Sequence, residues 1–543
     1  MKTPFVPLGV LVLSLQSQIA SCQDGLPAQA QPPSLPPPGK RTKETKVLPS
    51  LTSFPSVKCF FVLSFSLFVL HCNAQIQQAW VAHYNNNHST GNHQALKMAL
   101  DSAGNIYLCG PSQNTNGGTG YAVVKYAANG TQLWAARFDS NAAAFSPSSF
   151  TLDASNNAIV TGNGGTVKYD TSGNLAWSNF YAGLSTAVDL SNNIVVTGFG
   201  TLFNTVKLNP AGSNVWLAVY QSNGPAISQA VAIDGQGAVY VCGSDVWYCP
   251  SSYCYCELTI IKYAPNGTRL WISHQFCCGN VLSFTVRGMT LATDGYLYTL
   301  LDYDEGAQIP YNTLKLTADG VPVWDEGDRS RNDSSVSHAL AVGRHSNLVV
   351  TGKNGHYYPN SSYGTYGLNG DGTYTWTNTY PQIPTSANEA TAVALDKAEN
   401  AYVTGYFAGS NTNYDIVTIA YDTSGKQLWL QRYDGAAHLD DVGNAIAVDG
   451  NGNVYVAGYE TVAGGGTEMV LIKYAPVTVQ KQSSGILLQA QGSPNEPFDI
   501  RATTNLETWP HLATTNADAN GLLQYLDTNA QLYPWRFYLA IPQ

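Results

Sequence analysis

Five cysteines, Cys249, Cys254, Cys256, Cys277 and Cys278, crowd into residues 249–278 of a chain that holds ten in all. Their spacings match no familiar zinc pattern, so metal binding is not the expected use of the thiols. In an exported chain such a local cluster is expected to form disulfides that staple a long loop, and the connectivity stays open. Cys109 and Cys242 differ: each replaces the threonine of a recurring Val-Thr-Gly segment and reads as a small buried residue.

Aromatic residues collect in the same kind of segment. Trp247, Tyr248 and Tyr253 lie in "SDVWYCPSSYCYCE", Tyr303 and Tyr311 in "LDYDEGAQIPYN", Tyr357 and Tyr358 in "KNGHYYPNSSYG", and Tyr414 in "YFAGSNTNYD". An aromatic offers contact area at low entropic cost, so these eight are the candidate ligand-binding residues, suited to stacking on sugar rings or packing on a protein. Packing on one another over loop backbone is the competing use, since the chain carries 33 tyrosines.

Acids share these loops: Asp302, Asp304 and Glu305, then Asp325, Glu326 and Asp328, then Asp440 and Asp441. Carboxylates so placed could bind calcium or form a glycosidase pair, but neither has diagnostic spacing and loop acids are usually solvated. His88, His93 and His438 suggest no partners, and no Ser-His-Asp order, phosphate loop or His-x3-His pattern stands out. No catalytic residue and no metal ligand is assigned, and calcium is the one cofactor the acids bring to mind.

A repeat must position these candidates. Residues 96–138 set the template: an alternating apolar strand, an Asp-x-x-Gly-Asn turn, a strand ending in Gly, a variable loop, a "VVKY" strand, an Asn-Gly turn and a Trp strand. Trp80, Trp134, Trp177, Trp216, Trp271, Trp324, Trp376 and Trp429 follow one another at intervals of 39 to 55, the length of one four-stranded propeller blade. The last unit stops after its third strand, and the missing fourth is "QQAWVAHY" from residue 77, with Trp80 and Tyr84 where the template has Trp134 and Phe138. A closed ring needs its two chain ends in one sheet so that no strand edge is left open.

The expected fold is therefore all-β: an eight-bladed β-propeller over residues 75–476, closed by an N-terminal outer strand. Seven blades is the alternative, if the short unit at 148–181 or the degenerate one around Tyr298 to Trp324 collapses. The turns bearing Asp101, Asp153, Asp234, Asp396 and Asp449 share one face, where turn chemistry explains the acids. Loops of variable length share the other face and carry the candidate residues. Alternating strands and an Asn-Gly turn in residues 477–543 suit a small β-sandwich-like module.

"YVTG", "VKYDTSGN" and "AYDTSGKQLWLQRY" resemble the bacterial beta-propeller repeat called SBBP, found in secreted and surface proteins. The resemblance covers about residues 76–476 and implies fold and compartment, with no shared catalytic residues. The closing stretch with "TNLETW" and "RFY" is similar to a C-terminal module of secreted proteins in Verrucomicrobia and related bacteria, which implies a spacer or surface-presentation role. The vicinal Cys277–Cys278 pair resembles that of eight-bladed quinoprotein dehydrogenases. This propeller is shorter, its pair falls mid-chain and no calcium-ligand cluster matches, so that chemistry is not expected.

Two apolar stretches lie near the N-terminus. Residues 57–74 read as a signal peptide, with Lys58 at the positive end and Cys72, Asn73 and Ala74 at the cleavage site. Residues 1–56 read as a mis-annotated extension with translation starting at Val57, or else as a lipoprotein-type leader acylated at Cys22 with a Pro-rich linker. Both readings place the mature chain outside the cytoplasm: secreted, cell-surface or periplasmic. A net charge of -10 without a basic patch argues against nucleic acid.

The expected function is an exported, non-catalytic binding or surface-scaffold protein. It is expected to be monomeric, with no membrane span in the mature chain, and to take an extracellular glycan or protein on the variable-loop face. A propeller polysaccharide lyase, glycosidase or quinoprotein dehydrogenase is the alternative.

Overall fold

The computed structural model describes residues 76–139, 144–198, 202–222, 224, 226–248, 255–276, 283–304, 311–327, 336–355, 361–381, 386–408, 413–505, 508–533 and 536–543. Both expected leaders fall outside these residues. So do Cys249, Cys254, Cys277, Cys278, Tyr253, Tyr357, Tyr358, Glu305 and Asp328.

Residues 76–476 form eight four-stranded antiparallel sheets, seven of which use consecutive strands. The eighth runs Ile76–Tyr84, Thr467–Pro476, Val454–Thr461, Asp441–Val448, so the first described strand lies beside the last of this region. Trp80 pairs with Lys473 there, as Trp134 pairs with Lys125 in the first consecutive sheet. The two units held doubtful each form a four-stranded sheet. The short one forms a full sheet from Pro147–Leu152, Ala158–Gly162, Gly165–Tyr169 and Leu175–Asn179. It is short because its second and third strands are joined through Asn163 and Gly164 alone, with Gly162 opposite Gly165.

Local chemistry explains why the repeat folds this way. In the first turn of a unit, Asp101 Oδ1 accepts the backbone N–H of Ala103 and Asn105, at 3.0 and 2.8 Å, while Oδ2 accepts the Asn105 amide. Asp153, Asp396 and Asp449 do the same with their own neighbours. The third-strand lysine then reaches that aspartate: Lys168 to Asp153 and Lys207 to Asp189, each at 2.8 Å. A carboxylate so loaded with donors has no capacity left for a ligand, and the acids of this face are structural.

Four of the tryptophans bond their sheet to the next. Trp134 Nε1 donates to Thr171 O at 2.9 Å, and Trp177, Trp216 and Trp324 donate to the corresponding carbonyls of Pro210, Pro265 and Gly370. The turn must approach the indole closely, and a Cβ on Gly173 (φ 85°) would stand 2.7 Å from the Trp134 ring. Gly130 meets Trp80 in the same way, at 2.9 Å, so the N-terminal strand contacts its neighbouring sheet as any fourth strand does. Second and third strands are buried between sheets, as in the wholly buried Ala158–Gly162 and Gly165–Tyr169.

Residues 478–542 form two three-stranded sheets that share a core of Ile486, Leu488, Phe498, Ile500, Leu523 and Tyr538. Among the described residues there is no α-helix, and no helix is long and apolar enough to cross a membrane.

Candidate functional site

The ends of the strands opposite the aspartate turns carry connections of very different length and a set of titratable side chains. Of the eight aromatic candidates, Trp247, Tyr248, Tyr303 and Tyr311 have only their strand backbone described, and Tyr414 alone has a described side chain. Tyr414 is half-buried and packs edge-on against Tyr406 with ring centroids 4.8 Å apart. The Tyr406 hydroxyl donates to Glu389 at 2.9 Å. For this pair, packing on a neighbouring aromatic is the observed use. Cys256 lies in a strand with its side chain undescribed, while Cys109 and Cys242 are fully buried free thiols, as small core residues should be.

Several acids expected to be solvated are not. Asp302 is 4 % exposed and bonds Arg287 at 2.5 Å and the Ser337 hydroxyl at 2.6 Å. Asp441 is fully buried, with Oδ2 accepting the Gly435 N–H at 2.5 Å and Oδ1 unpartnered among the described residues. The histidines correct the expectation too. His93 is buried, with Nδ1 2.7 Å from Ser112 Oγ and Nε2 3.0 Å from His88 O, and His438 sits 3.0 Å from Asp434. These partners are remote enough in sequence or loop geometry that residue spacing alone did not reveal them.

Burial, reinforced by the Glu460 and Asp434 charges and opposed by the Gly435 N–H, pushes the Asp441 carboxyl up to about 7. A carboxyl whose folded-state pKa exceeds its unfolded value of about 3.9 binds its proton in the folded state first, so stability falls as pH rises from about 4 to about 7. Asp441→Asn is therefore expected to raise Tm at pH 8 and to leave it nearly unchanged at pH 4. Equal shifts at both pH values would show that this carboxyl is not held protonated.

Two clusters occupy the same register in different sheets. In one, Asp245 lies directly opposite Glu257 on the adjacent strand, and His274 follows on the outer strand with Nδ1 2.6 Å from Glu257 Oε1. In the other, Glu460 lies opposite Glu468, and His83 Nδ1 is 3.3 and 3.1 Å from their carboxylates. Burial and the Asp245 charge raise the Glu257 pKa against the opposing His274. His83 is raised chiefly by its hydrogen bond to Glu460, which outweighs desolvation. A third group, Asp415, Asp434 and Asp441, contains no nitrogen, and Asp415 is paired with Arg432.

The sequence reading missed these clusters, although a signal was present. Each has an acid two residues after the strand-ending glycine (Gly243 and Gly458), an acid five residues before the third-strand lysine (Lys262 and Lys473), and a histidine three after the tryptophan (Trp271 and Trp80). The pieces lie on three strands, and one of them at the opposite end of the chain.

A cleft of about 770 Å³ opens on the other face, between the aspartate turns and the C-terminal sheets, lined by Ala128, Asn129, Asp449, Lys473, Gln491 and Asn520 among others. Its one lysine is already engaged, with Lys473 Nζ donating to Ala128 O at 3.1 Å.

Residues 432–459 match the family model described as a beta-propeller repeat. The chain is similar to an uncharacterized WD repeat-containing protein of Acanthamoeba polyphaga mimivirus, 25% identical over 418 residues, covering 67% of this chain and 27% of that one. The chain thus spans about a quarter of that relative's length. Among solved structures it is similar to the Neurospora crassa Pan2 WD40 domain (TM-score 0.37, 8% identity, 75% of this chain and 98% of that one). It is also similar to Drosophila Plexin A in complex with Semaphorin 1b (TM-score 0.38, 8% identity, 74% and 88%). The repeat match and the recurring four-stranded sheets support a β-propeller repeat protein.

Proposed function

We propose that the eight sheets close into one eight-bladed ring and that the chain is an exported, non-catalytic binding or surface-scaffold protein. Its ligand, an extracellular glycan or protein, is taken on the variable-loop face, and residues 477–543 act as a presentation module. The observation that carries this reading is the contrast between the two ends of the strands. At one end the turn aspartates are saturated by their own backbone and lysines. At the other, connections range from the two residues 163–164 to the twelve residues 85–96, and the aromatic candidates lie in such connections or at the strand ends that border them. Variable loops on a rigid frame are where recognition concentrates.

A glycan array and a panel of immobilised extracellular proteins, probed with the wild type and with Trp247→Ala and Tyr357→Ala, test the assignment of the face. At least one variant is expected to weaken binding about tenfold or more, the loss of a central aromatic contact. Hits that bind both variants unchanged would remove these aromatics from the site. Release of reducing ends from a bound polysaccharide would overturn the non-catalytic reading.

A further inference from the structure

We propose that Asp245, Glu257 and His274 bind a divalent first-row transition metal such as Zn²⁺ or Mn²⁺, and that His83, Glu460 and Glu468 repeat the same device. Each residue offers one ligand atom, and in each set those atoms lie within 4.8 Å of one another. Directly paired strand positions put the two carboxylates on one side of the sheet. The histidine, two residues beyond the partner of Glu257, shares that side.

The same positions elsewhere in the molecule show what the fold does without a metal. Where the outer strand carries arginine three residues after its tryptophan, as at Arg432, one acid meets it: Asp415, with Phe407 at the position of Asp245. In the first consecutive sheet the equivalent Arg137 donates to Ser112, which stands at the position of Asp245, with Gly120 at that of Glu257. A permanent cation there serves one carboxylate or none on the two inner strands. Where histidine takes the arginine's place, both inner positions are acids, and that position offers them no permanent cation.

That deficit is costly in the first cluster. Asp245 and Glu257 are 1 % and 6 % exposed. Two carboxyls there face one imidazole in a site closed to water, where an uncompensated charge is costly. Asp245 Oδ2 accepts the Tyr220 hydroxyl at 3.2 Å, whereas its Oδ1 is buried with no hydrogen-bond partner among the described residues. A buried carboxylate oxygen with no donor, beside a second carboxylate and an imidazole nitrogen, is the arrangement a cation completes. One nitrogen and two oxygens suit Zn²⁺ or Mn²⁺, whereas Ca²⁺ requires an all-oxygen set of six or more.

Cobalt titration of the EDTA-stripped full chain tests this, because Co²⁺ reports its ligands by absorption and thiolate ligation adds an intense near-ultraviolet band. Two Co²⁺ per chain are expected, without that band, displaced by Zn²⁺ but not by equimolar Ca²⁺. His274→Ala should remove one equivalent or weaken it about tenfold or more, and His83→Ala the other. Asp245→Asn, which preserves shape, should match His274→Ala and guards against a misfolded variant, with circular dichroism as the check. A single equivalent that disappears in His274→Ala also carries the proposal. It is overturned if the count is unchanged in His274→Ala and Asp245→Asn, if a lone equivalent is lost only in His83→Ala, or if binding carries the thiolate band.

Discussion

Replacing Trp80 by alanine is expected to cost about 3 to 5 kcal/mol, the usual range for deleting a buried tryptophan. Trp80 is 4 % exposed and packs against Tyr455 in its own sheet and under Gly130 of the next. The other seven tryptophans at this position are only half-buried. The loss should fall toward the lower figure, because Trp80 Nε1 is a buried donor without a partner among the described residues and its removal relieves that defect. Trp177→Ala is the control, since Trp177 is half-buried and its Nε1 is satisfied by Pro210 O. Denaturant titration of the two variants reads the difference. The consequence of Trp80→Ala should also be spatially specific, with limited proteolysis releasing residues 76–84 before the sheets at mid-chain open. A loss below about 1 kcal/mol would mean that this strand adds little to the sheet it borders.

Lys168→Met should be nearly as damaging, for an electrostatic reason. The Lys168 ammonium sits 2.8 Å from Asp153 with both side chains almost fully enclosed, and it also reaches Pro210 O in the next sheet. Removing one partner of a buried pair leaves the other charge uncompensated, at a cost of about 3 to 5 kcal/mol. Asp153→Asn combined with Lys168→Met should recover a good part of that loss, because the asparagine oxygen still accepts the turn N–H groups and no charge remains. Burial alone would raise the Asp153 pKa. The Lys168 and Asn157 hydrogen bonds outweigh it and hold the carboxyl below its ordinary value. A depressed folded-state pKa contributes stability that is present above the unfolded value of about 3.9 and is lost as pH falls through the folded one. The deficit of Lys168→Met should therefore be largest near neutral pH and shrink in acid. A deficit that does not change with pH would show that lost packing, not charge, is responsible.

Much of the architecture could be read from the chain because the repeat writes the same local chemistry many times. Aspartate followed by asparagine four residues on dictates the turn at Asp101, Asp153, Asp396 and Asp449 through backbone and amide donors. Alternation sets the strands, and the orphan "QQAWVAHY" points to a partner at the far end, which is where Trp80 meets Lys473. The site was far less legible. Asp441 and Asp302 belong to loop-rich segments and were expected in solvent, but neighbouring sheets cover them, and no local pattern encodes coverage by a neighbour.

By itself the sequence determined the strands, their turns and the pairing of residues 76–84 with residues 467–476, because turn chemistry and alternation act over a few residues and repeat. Only the tertiary structure decided which acids lose water and which histidine faces which carboxylate. Asp245, Glu257 and His274 become neighbours through cross-strand register, and burial, which sets the free energy of an unpaired charge, depends on every sheet packed around them.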